Sequence, residues 1–227
     1  MADPSPDLLV TTRLALHAVA EHVLAAALHS WNGRIGLRAT PGGFGTPVVD
    51  VDGVARRVRV RGTELVVDAD GRSDRAPLTT LAAAAALVGI EPGAPTGLYE
   101  IVTPCEPDAP LAVDPEAAAG LASWFALVDE ALARFAEEVA PADPPLAQLW
   151  PEHLDLALTH DEVNYGGSAG DADHPEPYLY VGPWSVPDGP FWNEPWGRSV
   201  PATDVPAVPG ALAVLRMGHA VTRAAER

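Results

Sequence analysis

The sequence predicts an α+β fold. A mainly antiparallel sheet carries helices over one face, and an irregular Pro/Trp-rich segment follows at the C-terminal side. Three observations lead there. Residues 8–30 repeat apolar side chains at three- and four-residue steps. Residues 34–78 break into short alternating runs separated by Asp-Gly and Arg-Gly. From Pro141 the style changes: residues 141–209 hold 13 of the 24 prolines and four of the six tryptophans, so regular structure should thin out there.

Leu9, Leu16, Val19, Val23 and Ala27 form the apolar stripe of the first helix. His17 on that helix reads as a satisfied buried polar group, and His22 and His29 read as surface or interface residues. Trp31-Asn32-Gly33 stops the helix. In the following meander, Val58 and Val60 alternate with Arg57, Arg59 and Arg61, so one face is buried and the other solvated. The arginines there are expected to pair with aspartates on neighbouring strands. Thr79 or Thr80 opens a short Ala-rich helix that runs to Ile90, and residues 98–103 (LYEIVT) are a candidate strand.

The most secure element starts at Asp114-Pro115-Glu116. Asp114 can cap, Pro115 fits the first turn, and Glu116 faces the positive end of the helix dipole. Leu121, Trp124, Phe125, Val128, Leu132, Phe135 and Val139 make one stripe along it. Residues 153–160 (HLDLALTH) and 178–182 (YLYVG) are expected strands, and a closing helix spans about Gly210 to Glu226. With no internal repeat and no clear linker, the chain reads as one α+β domain over 1–227. Helix, meander and long helix fill 8–140, and strand, Pro/Trp segment and last helix fill 141–227.

Composition excludes several functions. The net charge is -17, and every one of the 14 basic residues is Arg. Such a chain repels phosphate backbones and anionic membrane surfaces, so neither nucleic acid nor membrane is an expected partner. Cys105 is the only cysteine, which precludes an internal disulfide and fits a reducing cytoplasm. Acids around it raise a thiol's pKa, which argues against a nucleophile. The first ten residues lack the basic and apolar regions of a signal peptide, so a soluble cytoplasmic protein is expected.

The order of these pieces resembles a widespread bacterial family of uncharacterised proteins. The matching residues are Leu16-His17, Trp31-Asn32, the meander from Arg34 to Leu78, the helix opening DPEAAAGLASWF and the strand HLDLAL, together roughly 14–160. The tail, with NYGGSAGDADHPEPYLYVGPW and FWNEPWG, is similar to uncharacterised proteins of GC-rich bacteria. The resemblance implies no reaction. It implies that the aspartate at Asp155 is a family feature and that the histidine at His153 is not.

The candidate site residues cluster late in the chain. His153 and Asp155 lie two apart on the expected strand and would project to one face. They supply two members of a two-His, one-carboxylate set of the non-haem iron type, with His160, His174 or His219 as third ligand and His174 the most credible. A solvated or hydrogen-bonded His–Asp pair is the simpler reading, and no cofactor is expected unless a divalent metal sits at His153, Asp155 and His174. Asp171, Asp173, His174 and Glu176 offer acids at alternate positions, without the length or central glycine of a calcium loop. Asp155 with Glu176 or Asp171 could act as acid and base on a glycoside, with Trp150, Trp184, Trp192 and Trp196 as stacking platforms. The bland alternative packs those tryptophans with proline to hold the tail down.

The first functional expectation is a small-ligand pocket near His153, Asp155 and His174, with Tyr165, Asp171, Asp173, Glu176 and Trp184 as lining candidates. The second is a metal-dependent or acid–base enzyme using the same catalytic candidates. The third is an interaction module that buries its tryptophans against a partner or a second copy. Oligomeric state is not legible in the sequence.

Overall fold

Helix α1 (Pro6–Val19) runs without a break into a π-helical turn (Ala20–Ala25) and then α2 (Ala26–Asn32). Gly33 ends it in the left-handed conformation, with its N–H on the His29 carbonyl. These elements belong to a computed structural model that describes residues 6–225. Residues 1–5 of the signal-peptide reading and the expected helix end at Glu226 therefore lie outside the described residues. The α+β class is as the sequence predicts, with strands paired antiparallel in two sheets rather than one.

The chain folds as two compact units. The first comprises residues 1–123 and 149–154, and the second 124–148 and 155–227. In the first unit, strands β1 (Arg38–Thr40), β2 (Gly43–Gly45), β4 (Val54–Arg61), β5 (Glu64–Ala69) and β6 (Arg72–Pro77) follow that order across the sheet, and β3 (Val49–Val51) pairs with β4. Asp52-Gly53 and Asp70-Gly71 turn the chain with both residues at positive φ, the type I′ geometry that matches strand twist. Val58, Val60 and Leu65 are buried, as are Val19, Val23 and Leu28 of the first helices.

The other face of this sheet carries the arginines. Asp68 stands directly opposite Arg57 and takes hydrogen bonds from Arg57 at 2.8 Å, Arg59 at 3.0 Å and the Ser73 hydroxyl at 2.5 Å. Burial pushes its pKa up, but these donors outweigh burial and hold it at about 2. The expected cross-strand Arg–Asp pairing is therefore present.

α3 (Leu81–Val88) starts at Thr80, whose hydroxyl accepts from the Ala83 N–H, and stops at left-handed Gly89. Residues 98–103 form no strand. The N–H groups of Val102 and Thr103 go to the Glu21 carboxylate, so no ladder partner is available to them. α4 (Pro115–Val139) begins as read: Asp114 Oδ1 accepts from the N–H groups of Glu116 and Ala117.

In the second unit, β8 (Asp155–His160), β9 (Val163–Ser168), β10 (Tyr178–Pro183) and β11 (Arg198–Pro201) pair antiparallel in sequence order. Asp161-Glu162, both at positive φ, close the β8–β9 hairpin. α4 from Trp124 onward and α5 (Val208–Ala225) cover one face. A Cβ on Gly167 would lie 2.5 Å from Val128, and one on Gly218 would lie 2.8 Å from Val181, so both helices sit directly on the strands. The Phe135 and Tyr165 rings pack at 4.6 Å. The short strand β7 (Gln148–Trp150) lies where the chain changes unit, and its Leu149 bridges to Leu37 in the first.

The helix from Asp7 to Asn32 is long and apolar enough, by composition, to cross a bilayer. Of that apolar window 67% is buried, as in the core helix of a globular unit.

Candidate functional site

β8 starts at Asp155, not at His153. Residues 151–154 form a turn, and Leu154 takes φ 48°, a left-handed conformation that interrupts an extended chain. The expectation that His153 and Asp155 share a strand face is thereby overturned. His153 is exposed in the turn at the end of the first unit, whereas Asp155 is 7% exposed in the second.

Register then sorts the remaining candidates. Asp155, Ser168 and Tyr178 stand side by side on β8, β9 and β10, as do Ala157, Gly166, Tyr180 and Ser199 through β11. Antiparallel neighbours share a face, so these residues form one surface of the sheet. Leu156, Leu158, His160, Tyr165, Gly167 and Val181 form the other, beneath α4 and α5. Tyr165 is fully buried there, with its hydroxyl 3.4 Å from His219 Nδ1. The His160 and His219 rings pack at 5.7 Å on that same side. Neither histidine shares a face with Asp155. Among the described residues, no three His, Cys, Asp or Glu side chains could hold a metal.

On the Asp155 face, two acid–tyrosine pairs run parallel. The Tyr180 hydroxyl donates to Asp155 Oδ2. The Tyr178 hydroxyl donates to Asp171 Oδ2 at 2.7 Å. Both phenols have raised pKa values, first from burial and then from these carboxylates, so they remain protonated donors. Gly166 makes the first pair feasible. Tyr180 lies over it, and a Cβ there would meet the ring at 2.6 Å. The glycines of NYGGS are therefore strand residues that admit a tyrosine on one face and a helix on the other, not turn residues.

Asp171 has a second task. Its Oδ1 accepts from the N–H groups of Asp173 (2.8 Å) and His174 (2.7 Å), closing the acidic loop on itself as an Asx turn. Burial raises the Asp171 pKa, and the Tyr178 hydroxyl, these N–H groups and His174 lower it further than burial raises it. His174 in turn lies 3.0 Å from Glu194 Oε1 and 3.7 Å from Asp171 Oδ1. Ser199 holds the same Glu194 oxygen at 2.7 Å, and this bond, against burial, lowers the Glu194 pKa, with His174 adding to the effect. The His174 ring packs with Tyr178 at 5.0 Å and with Trp196 at 6.4 Å. One imidazole is thus set between two carboxylates and two aromatic rings, with Trp196 39% exposed at the rim.

The tail that delivers Glu194 and Trp196 is clamped to β11. The Asn193 amide bonds both the N–H and the carbonyl of Ser199, as a strand neighbour would. Glu194 and Gly197 bridge through their backbones. Of the other lining candidates, Asp173 and Glu176 are exposed, and Trp184 is 68% exposed. Cys105 is exposed and its thiol pKa is raised by burial, which leaves it a poor nucleophile.

Searches against family models, curated proteins and solved structures gave no match to this chain.

The sequence does not announce one polar cluster. Glu21 and His22 are 0% and 1% exposed. His22 lies within the π turn and is buried, not one of the surface or interface residues expected. Glu21 Oε1 accepts from the Val102 N–H, and Oε2 accepts from the N–H and hydroxyl of Thr103. His17 behaves as expected, donating from Nε2 to the Pro151 carbonyl at 2.8 Å. Burial lowers its pKa, outweighing Glu21 and Pro151, which raise it. The legible signal was Glu21 itself, a carboxylate adjoining the predicted apolar stripe.

Proposed function

We propose that this protein binds a small ligand rich in hydrogen-bond donors, an amine or a polyol, at the solvent end of the acid–tyrosine face. Asp171, His174, Tyr178, Glu194 and Trp196 line the site. The observation that carries this reading is the convergence of the Asp171 and Glu194 carboxylates on His174, flanked by the Tyr178 and Trp196 rings. Carboxylates accept from hydroxyl and ammonium groups, and aromatic faces attract cations and sugar C–H surfaces. Asp173 and Glu176, exposed on the same loop, add to the negative field that draws a cation in. The buried Asp155–Tyr180 pair anchors the inner end of that face. The site is read as a cytoplasmic one, in keeping with a single cysteine and no internal disulfide.

Calorimetric titration with monosaccharides and primary amines tests the reading. Saturable binding by one class, lost in both His174→Ala and Trp196→Ala, is expected. Binding unchanged in both variants contradicts it.

Trp184, at 68% exposure, favours a second reading as a contact for another protein surface. Sedimentation of the protein and of Trp184→Ala tests self-association: a concentration-dependent dimer lost in the variant supports it, and a monomer at all concentrations contradicts self-association.

A further inference from the structure

A backbone N–H fixes the tautomer of His22, which lies in the π turn. Its Nδ1 accepts the Ala94 N–H at 3.0 Å, which leaves the ring proton on Nε2, 2.9 Å from the Thr103 carbonyl. Both ring nitrogens are thus spent on one loop, at points nine residues apart in sequence, and the His22 carbonyl takes a third bond from the Gly93 N–H. Adjacent Glu21 holds Val102 and Thr103 of the same loop. Residues 90–114 contain no helix or strand before α4, so these bonds from one helical turn are a main attachment of a long irregular segment.

That segment is also a wall. Val102, Pro104 and Leu111 face Leu14 and Ala18 of α1 across an open, mainly apolar groove of about 300 Å³. Thr103 lines the groove while its hydroxyl bonds Glu21, so latch and wall share a residue.

We propose that neutral His22 is a latch for the loop between Gly93 and Thr103, and that protonating it releases the loop from α1. A proton on Nδ1 would face the Ala94 N–H, donor against donor, on a ring that is 1% exposed. The groups facing His22 are known from each element around it. Its own helix brings Glu21, with His17 one turn earlier and Arg13 beyond. The loop brings Thr103 and Tyr99, and the 151–154 turn brings Glu152 near Tyr99. α3, which also packs on the π turn, carries no titratable side chain. Glu21 is the group that could retain a charged His22, and its two oxygens already accept three bonds from the loop.

Amide hydrogen exchange on the full chain tests the latch at about pH 7.5 and about pH 5, with the intrinsic pH dependence of exchange divided out. The amides of Ala94, Val102 and Thr103 should lose protection between those two pH values, by up to about tenfold per pH unit for one linked proton. The Val58 amide in β4 serves as the reference for global unfolding, which His17 also influences. In His22→Gln the pH dependence at those three amides should vanish. Protection that is unchanged with pH in the wild type, or falls equally at Val58, overturns the latch. If His22→Gln does not fold, nitrogen NMR of the wild-type ring decides. The ring should carry its proton on Nε2 alone wherever the three amides are protected. A ring that becomes doubly protonated while those amides keep their protection overturns the proposal.

Discussion

Tyr180 reaches across β9 to donate its hydroxyl hydrogen bond to Asp155 on β8, and it can do so because Gly166 beneath its ring has no side chain. Three strands thus cooperate in one polar contact: an acid, a gap and a phenol. The contact orders the inner end of the face on which the acid–histidine cluster sits.

Gly166→Ala and Gly167→Ala should each cost about 1–3 kcal/mol by overpacking, for different reasons. The first pushes on Tyr180 and on the Leu156 carbonyl at 2.7 Å, and the second pushes on Val128 at 2.5 Å and Trp124 at 3.1 Å. Urea denaturation measures both. Pairing each with Tyr180→Phe separates them, because only Gly166→Ala should be non-additive with it.

Tyr180→Phe alone removes a donor from a buried carboxylate and should destabilise by about 1–3 kcal/mol. Tyr178→Phe should cost less, because Asp171 keeps two backbone donors in its Asx turn. Denaturant midpoints of the two variants check the order.

Asp68 sets part of the acid stability of the first unit. Its folded pKa of about 2 lies below the usual 3.8, so the stabilisation is fully present above 3.8 and is lost as pH falls from there toward about 2. Asp68→Asn should flatten the stability profile in that window and leave its shape near neutrality unchanged. Thermal melts across the acid range measure it.

Asp114→Ala removes the side-chain cap from the first turn of α4 and should cost about 1 kcal/mol. Asp114→Ser should recover most of it, which circular dichroism melts can resolve.

Much of the fold was legible because its signals are local. Asp114-Pro115, Thr80 and Asp70-Gly71 each satisfy a backbone requirement within a few residues, so their roles can be read without knowing the rest of the chain. The features hidden from the sequence depend on distant partners. Glu21 meets Thr103 across 82 positions, and that meeting takes an N–H that a strand over 98–103 would need for its ladder. Leu154 adopts a positive φ that nothing in its type announces, and this separates His153 from Asp155. In the site, the pairing of Tyr178 with Asp171 is nearly local, whereas Glu194 reaches His174 only through the Asn193 clamp on Ser199. The glycines in NYGGS look like turn residues until Tyr180 and Val128 are seen against them.

The site itself is tested most directly by NMR of protein carrying labelled histidine, tyrosine and tryptophan side chains, titrated with monosaccharides and primary amines. The expected result is a saturable shift of the His174, Tyr178 and Trp196 signals together, with one common dissociation constant, while Tyr165 on the opposite face stays still. Shifts confined to other residues, or His174, Tyr178 and Trp196 signals that do not move with any of these compounds, would contradict ligand binding at this face.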